Sequence, residues 1–190
     1  MVALDFIFIK LLSINSKKWS RKINLLHYVR IESNAVSYNK EMIPLSESIK
    51  YAVAPLKVSA NDKNQSIELF INSEGYYFHD KKWIAESLSN IIKNAIEHTS
   101  INGKIKIILE ETPMSISITI SDNGEGIDED EVKNIFKRFY KGKNSINPKS
   151  VGIGLSLSKK IMEAHGGSIN VKSELEKGTI FNIIFLKVIV

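Results

Sequence analysis

The sequence predicts an α/β chain built around one hydrophobic core. Three observations carry that expectation. Ile116, Ile118 and Ile120 alternate with Ser115, Ser117 and Thr119, the two-residue period of a half-buried strand. Residues 80–99 and 155–165 instead repeat their apolar side chains at helical spacing. Two further strand-like runs, Ile169 to Ser173 and Thr179 to Leu186, close the chain across Glu176-Lys177-Gly178.

Composition narrows the function classes. With 190 residues, 43% of them hydrophobic, the chain can bury one good core and carry an appended helical piece. There is no cysteine, so disulfide frameworks and thiolate metal sites are excluded. The net charge of +5 comes from lysines scattered among acids, not from a basic block with interleaved aromatics. Nucleic acid is therefore not the expected partner, and a small polyanion accounts for the excess equally well. No run approaches the ~20 apolar residues of a membrane span. Val2 to Leu12 is broken by Asp5 and Lys10 and lacks a preceding basic region, so neither a span nor a signal peptide is expected.

In chain order, residues 1–15 read equally as a strand or as a helix start. Ser16 to Ile43 reads as one long helix with Trp19, Ile23, Leu26, Val29 and Val36 on neighbouring faces, stopped by Pro44. Ser46 to Val58 is a second helical stretch interrupted by Pro55, and Asn61 to Gln65 a polar linker. Ser66 to Ile71 and Tyr76 to His79 read as strands joined by a hairpin-type turn, Asn72-Ser73-Glu74-Gly75. Asp80 opens a helix running to about Thr99. Its apolar side carries Trp83, Ile84, Leu88, Ile91, Ile92, Ala95 and Ile96, and Glu86, Asn90, Asn94 and Glu97 form a polar stripe opposite. Such a stripe is usually a solvated face. Two asparagines at i and i+4 are, however, poor helix formers, and an amide oxygen suits Mg²⁺.

Lys104 to Leu109 is the next strand, and Thr112-Pro113 turns the chain into the one that ends before Asp122. Asp122-Asn123-Gly124-Glu125-Gly126-Ile127 then places one carboxylate ahead of glycines spaced by two. Asp122 can accept a hydrogen bond from an exocyclic amine such as adenine's, although a tight turn has the same pattern. A calcium loop is disfavoured because its ligand series is missing. Asp128 opens a short helix, Glu129 to Phe136, followed by Phe136-Lys137-Arg138-Phe139-Tyr140-Lys141. Gly142 to Ser150 has the composition of a mobile loop. Val151-Gly152-Ile153-Gly154-Leu155 then leads into a helix to His165, leaving N–H groups bare for phosphate or simply starting the helix.

Taken together, the asparagine helix, Asp-x-Gly-x-Gly, Phe-Lys-Arg-Phe-Tyr-Lys and Gly-x-Gly-Leu resemble the four ordered motif boxes of the catalytic ATP-binding domain of two-component sensor histidine kinases. That domain is of the GHKL (Bergerat) type. Gly178-Thr179-Ile180-Phe181 matches the family's closing Gly-Thr-x-Phe, and the resemblance covers about Ser66 to Leu186. It implies a two-layer α/β sandwich: a mixed, mostly antiparallel sheet with helices on one face. By position it implies Asn94 on Mg²⁺, Asn90 beside the phosphates and Asp122 on the adenine amino group. Gly124 and Gly126 let the base approach. The resemblance also implies that Gly142 to Ser150 is the ATP lid, that Arg138 and Lys141 steady phosphates from the lid, that Gly152 and Gly154 offer backbone N–H groups, and that Ile127, Leu155 and Thr179 complete the cofactor site. Where many members have Lys-Tyr, this chain has Glu97-His98, with His98 able to stack on adenine; a further family glycine is Ser156 here.

Residues 16–43 resemble the second helix of the family's dimerisation domain, which divides the chain into a partial dimerisation region and linker, 1–60, and a catalytic domain, 61–190. No His-Glu-Leu-Arg-Thr-Pro-like acceptor box is present. His27 lies in the second-helix signature, and His79 and His165 read as packing or capping residues. The expectation is a fragment lacking its phosphoacceptor, the cytoplasmic part of a membrane sensor protein. It would take ATP and Mg²⁺, pass the γ-phosphoryl group to a histidine outside this chain and serve a response regulator, with a homodimer in the full-length protein. The alternatives are a GHKL ATPase or anti-sigma serine kinase, and a nucleotide-binding regulatory module. Those enzymes place a general-base glutamate where Asn90 stands, and an amide takes no proton at neutral pH.

Overall fold

The computed structural model describes residues 27, 28, 30–33, 36–142 and 151–187. The expectations for residues 1–15, for most of the helix before His27 and for the loop beyond Gly142 fall outside them.

The sheet forms where apolar residues alternate. β4 (Lys104–Glu111) buries Ile105, Ile107 and Leu109 and turns Lys104 and Lys106 to solvent. β5 (Ser115–Asp122) buries Ile116, Ile118 and Ile120 completely. β7 (Gly178–Leu186) contributes Phe181, Ile183 and Phe185 to the same face. With β2 (Ser66–Ile71) and β6 (Gly167–Glu174) they make one five-stranded sheet in the order β2-β4-β5-β7-β6. Only the β2–β4 pair is parallel, so the sheet is mixed and mostly antiparallel, as expected.

Three helices cover its apolar face: α1 (Leu45–Val53), α3 (Lys81–His98) and α5 (Gly154–Ala164), while α2 (Lys57–Asn61) and α4 (Glu129–Val132) are short. Asp80 caps α3, its Oδ1 accepting from the N–H groups of Lys82 (3.0 Å) and Trp83 (3.2 Å). Ser87 and Ser158, both fully buried, satisfy each other reciprocally: each hydroxyl donates to the other's carbonyl, at 3.1 and 3.0 Å. Those bonds hold α3 beside α5.

Three expectations are corrected. The helix expected to reach Ile43 does not: His27, Tyr28 and residues 30–32 are helical, but Glu41–Pro44 is strand β1. Pairing decides it, because β1 runs antiparallel to β3 (Tyr76–His79) and the Asn39 N–H is taken by Asp80 Oδ2 at 2.9 Å. Nor do β2 and β3 form a hairpin. β2 pairs in parallel with β4, and the turn at 72–75 carries the chain from one sheet to the other. The expected helix Glu129 to Phe136 shortens to the single turn of α4. Leu45, Ile49, Val53 and Ala60 lie in the same core as α3.

His79 and His165 are buried packing residues. The Ser48 hydroxyl lies 2.7 Å from His79 Nε2 and Tyr77 O lies 2.9 Å from its Nδ1, while His165 Nδ1 lies 2.7 Å from Ile161 O. Burial holds both imidazoles below the ordinary value of 6.5.

Candidate functional site

Asn90, Asn94 and His98 recur every four residues on α3, so they share one face of the helix over about 12 Å. All three are half-buried, unlike a solvated stripe. At one end of that face Asn90 packs beside the start of α5. A Cβ built on Gly154 would lie 3.8 Å from Asn90 Oδ1, an ordinary contact distance, so the first residue of α5 sits directly against the Asn90 side chain. At the other end, His98 meets the loop that follows β5.

That loop is fixed from several sides. Asp122, the last residue of β5, accepts at Oδ1 from Gly124 N–H (2.9 Å) and Thr179 N–H (3.3 Å). Burial pushes its carboxyl above the ordinary 3.8, against the lowering effect of those two N–H donors. A half-buried carboxylate with one oxygen occupied by backbone leaves Oδ2 as the acceptor for a ligand donor. Gly124 is required because any Cβ there would collide with His98 O, and Gly126, at φ +71°, because a Cβ would meet Glu174 O. Both glycines therefore serve protein-to-protein packing. Thr179 is buried, its hydroxyl 2.8 Å from Ser173 Oγ, and Ser173 Oγ also accepts from Ile127 N–H at 2.8 Å.

The cationic cluster around Arg138 is arranged differently. Arg138 is exposed, and its Nη1 lies 3.1 Å from Glu32 Oε2 on the N-terminal helical residues. Lys160 reaches the other oxygen, Oε1, at 2.6 Å, and Tyr28, itself buried, donates to it at 3.1 Å. The bonds from Lys160 and then Tyr28, with a smaller effect of the Arg138 charge, hold the Glu32 carboxyl below its ordinary range, and that carboxylate holds the Lys160 ammonium above its own. Lys141 is exposed, and Gly152 takes φ +73° just before α5. Leu155 packs on the core at the first turn of α5.

Several structural contributors had no sequence signal. Lys63, in the segment read as a linker, donates to the carbonyls of Ile96 (2.8 Å), Glu97 (2.9 Å) and Thr99 (3.2 Å). Gln65 Nε2 donates to Ile96 O and Thr99 O, so the C-terminus of α3 is capped from a distance. Glu125, an unspecified position of the motif, bonds His98 at 2.6 Å. Among the described residues no group of three or more His, Asp or Glu side chains is placed to hold a metal, and no helix is long and apolar enough to cross a membrane.

Comparisons with known proteins agree with this geometry. Residues 79–189 match the family model described as histidine kinase-, DNA gyrase B-, and HSP90-like ATPase. The chain is 32% identical over 171 residues to the sensor protein SrrB of Staphylococcus aureus, covering 88% of this chain and 29% of SrrB. It is 29% identical over 160 residues to the sensor histidine kinase YvrG of Bacillus subtilis, covering 83% of this chain and 28% of YvrG. The chain thus spans under a third of these relatives. The catalytic domain of histidine kinase ThkA is similar in structure, with a TM-score of 0.68 and 27% identity over 80% of this chain and 99% of that one. A second ThkA structure, in complex with the response regulator TrrA, matches 94% of this chain and 51% of that one with a TM-score of 0.70 and 25% identity. The chain belongs to the histidine kinase-, DNA gyrase B- and HSP90-like ATPase family, with the ATP-binding catalytic domain of the sensor histidine kinase kind.

Proposed function

We propose that this chain binds Mg²⁺·ATP along the polar face of α3 and transfers the γ-phosphoryl group to a histidine outside it. The observation that carries this reading is that one helix face, Asn90-Asn94-His98, touches the carboxylate loop at one end and the start of α5 at the other. A base held at Asp122 Oδ2 therefore has its phosphates directed along α3 toward Gly154. Asn94 fits Mg²⁺ as a neutral oxygen ligand to an ion that keeps most of its waters. When bound, the ion neutralises phosphate charge. Asn90 hydrogen-bonds the phosphates, and Gly152 and Gly154 expose backbone N–H groups to them. Arg138 and Lys141 add positive charge over the transferred group, while Ile127, Leu155 and Thr179 line the cofactor site. In the transfer, the bond from γ-phosphorus to the bridging oxygen breaks, a phosphorus–nitrogen bond to imidazole forms, and ADP leaves. The chain's part is orientation and charge, since Asn90 cannot accept a proton.

Burial of Leu45, Ile49 and Val53 in the shared core supports starting the catalytic unit near Glu41 instead of residue 61, with 1–40 as the dimerisation remnant of a homodimeric sensor. The partner fitting this reading is a response regulator, and ThkA in complex with one supports it. The domain would work at the cytoplasmic side of a membrane sensor. The test is calorimetry with Mg²⁺·ATP beside an Asp122→Asn variant, then labelling of a separate helix pair carrying an acceptor histidine. Parent binding that the variant loses, with label on the added histidine, is expected. No binding by the parent overturns the reading.

A further inference from the structure

The junction between α3 and the Asp122 loop holds more contacts than a turn requires. Gly124 packs directly on His98 O, and Glu125 N–H donates to the same carbonyl at 3.1 Å. The His98 ring then meets the Glu125 carboxylate, Nδ1 to Oε1 at 2.6 Å, a distance at the short end for a charge-assisted bond. From the far side, Lys63 and Gln65 hold the carbonyls of Ile96 and Thr99, so the last turn of α3 cannot retreat from the loop. Glu125 is held in turn by its own carbonyl, which accepts from Glu176 N–H at 2.8 Å. The end of the asparagine helix and the aspartate loop are thereby one clasped unit.

We propose that Glu125, acting through His98, is a positioning residue for the nucleotide base. It sets the separation of two walls of the base site: the end of β5, which presents Asp122, and the last turn of α3, which presents the imidazole. Bonding Nδ1 to Glu125 fixes the ring plane and directs Nε2 away from the carboxylate. Both side chains are 39% exposed, so the bond adds little to global stability and its removal leaves the fold intact. Its value lies in orienting a ring that otherwise rotates about two side-chain torsions.

This proposal rests on the reading of Asp122 as the base acceptor. Calorimetry on the full chain, using adenosine and Mg²⁺·ATP as probes, separates the two. E125A should weaken both probes by the same factor, about five-fold, as expected for one lost hydrogen bond. E125Q retains an acceptor for Nδ1–H and should stay within about two-fold of the parent. In an H98A background E125A should cost nothing further. A purely structural role would appear as a lowered melting temperature in E125A without the rescue by glutamine or the silence in H98A. The proposal is overturned if E125A binds adenosine like the parent, if E125Q is as weak as E125A, or if the two substitutions add. A parent that binds neither probe removes the Asp122 reading itself, and this proposal with it.

Discussion

The aspartate loop at the end of α3 and the cationic cluster around Arg138 are built in opposite ways. Around Asp122 the polar atoms are tied to nearby backbone: Gly124 N–H, Thr179 N–H, His98 O and the carbonyl of Glu125. Around Arg138 the side chains are long, exposed and held by ion pairs to Glu32, which belongs to residues well upstream in the sequence. The first arrangement is preorganised and asks nothing of the N-terminal helix. The second is conditional, because Glu32 competes for the guanidinium that the proposed reading directs at a phosphate. Affinity for the base should therefore be intrinsic to the sheet and α3, and affinity for the phosphates should depend on what the helix is doing.

That contrast yields predictions of decreasing size. Asp122→Asn keeps an oxygen for the two backbone donors but puts an amine where a ligand donor must approach. Adenosine and Mg²⁺·ATP should both weaken by ten- to a hundred-fold in calorimetry. Because burial raises the Asp122 carboxyl, the ionised form costs stability at neutral pH, so the melting temperature of this variant should hold or rise. Arg138→Ala should weaken Mg²⁺·ATP about ten-fold and leave adenosine unchanged, a split that calorimetry reads directly. Glu32→Gln should do the reverse, tightening Mg²⁺·ATP about three-fold with no effect on adenosine, because such an exposed pair is weak.

A smaller effect concerns the frame common to both regions. His79 and His165 have values depressed by burial, so the unfolded chain binds more protons than the folded one below pH 6.5. Their contribution is fully present above 6.5 and is lost as the pH falls from there toward their lower folded values. Urea midpoints should drop from pH 7.5 to 5.5, and His79→Gln with His165→Gln should flatten that dependence.

Much of this contrast was legible in the sequence, and its limits are physical. Alternation fixed β4, β5 and β7, and Asp80 announced the start of α3, because period and capping are local properties. Asp122 was placed correctly at a strand end for the same reason. Partner choice is not local. Ser66–Ile71 reads as a strand wherever it pairs, so its parallel pairing with β4 was invisible. Glu41–Pro44 follows a helical pattern, yet pairing with β3 overrides it. Lys63 and Gln65 looked like linker because their partners are carbonyls more than thirty residues away. Glu32 gave no sign of meeting Arg138 across 106 residues.

In the proposed function one helix face serves a single nucleotide from end to end. Backbone amide NMR of the full chain, titrated with Mg²⁺ and a non-hydrolysable ATP analogue, tests this most directly. The resonances of His98 and Gly124 and those of Asn90 and Gly154 should shift with one shared dissociation constant, while adenosine moves the first pair far more than the second. Shifts at only one end, or two separate midpoints, would show that the two loops bind different things.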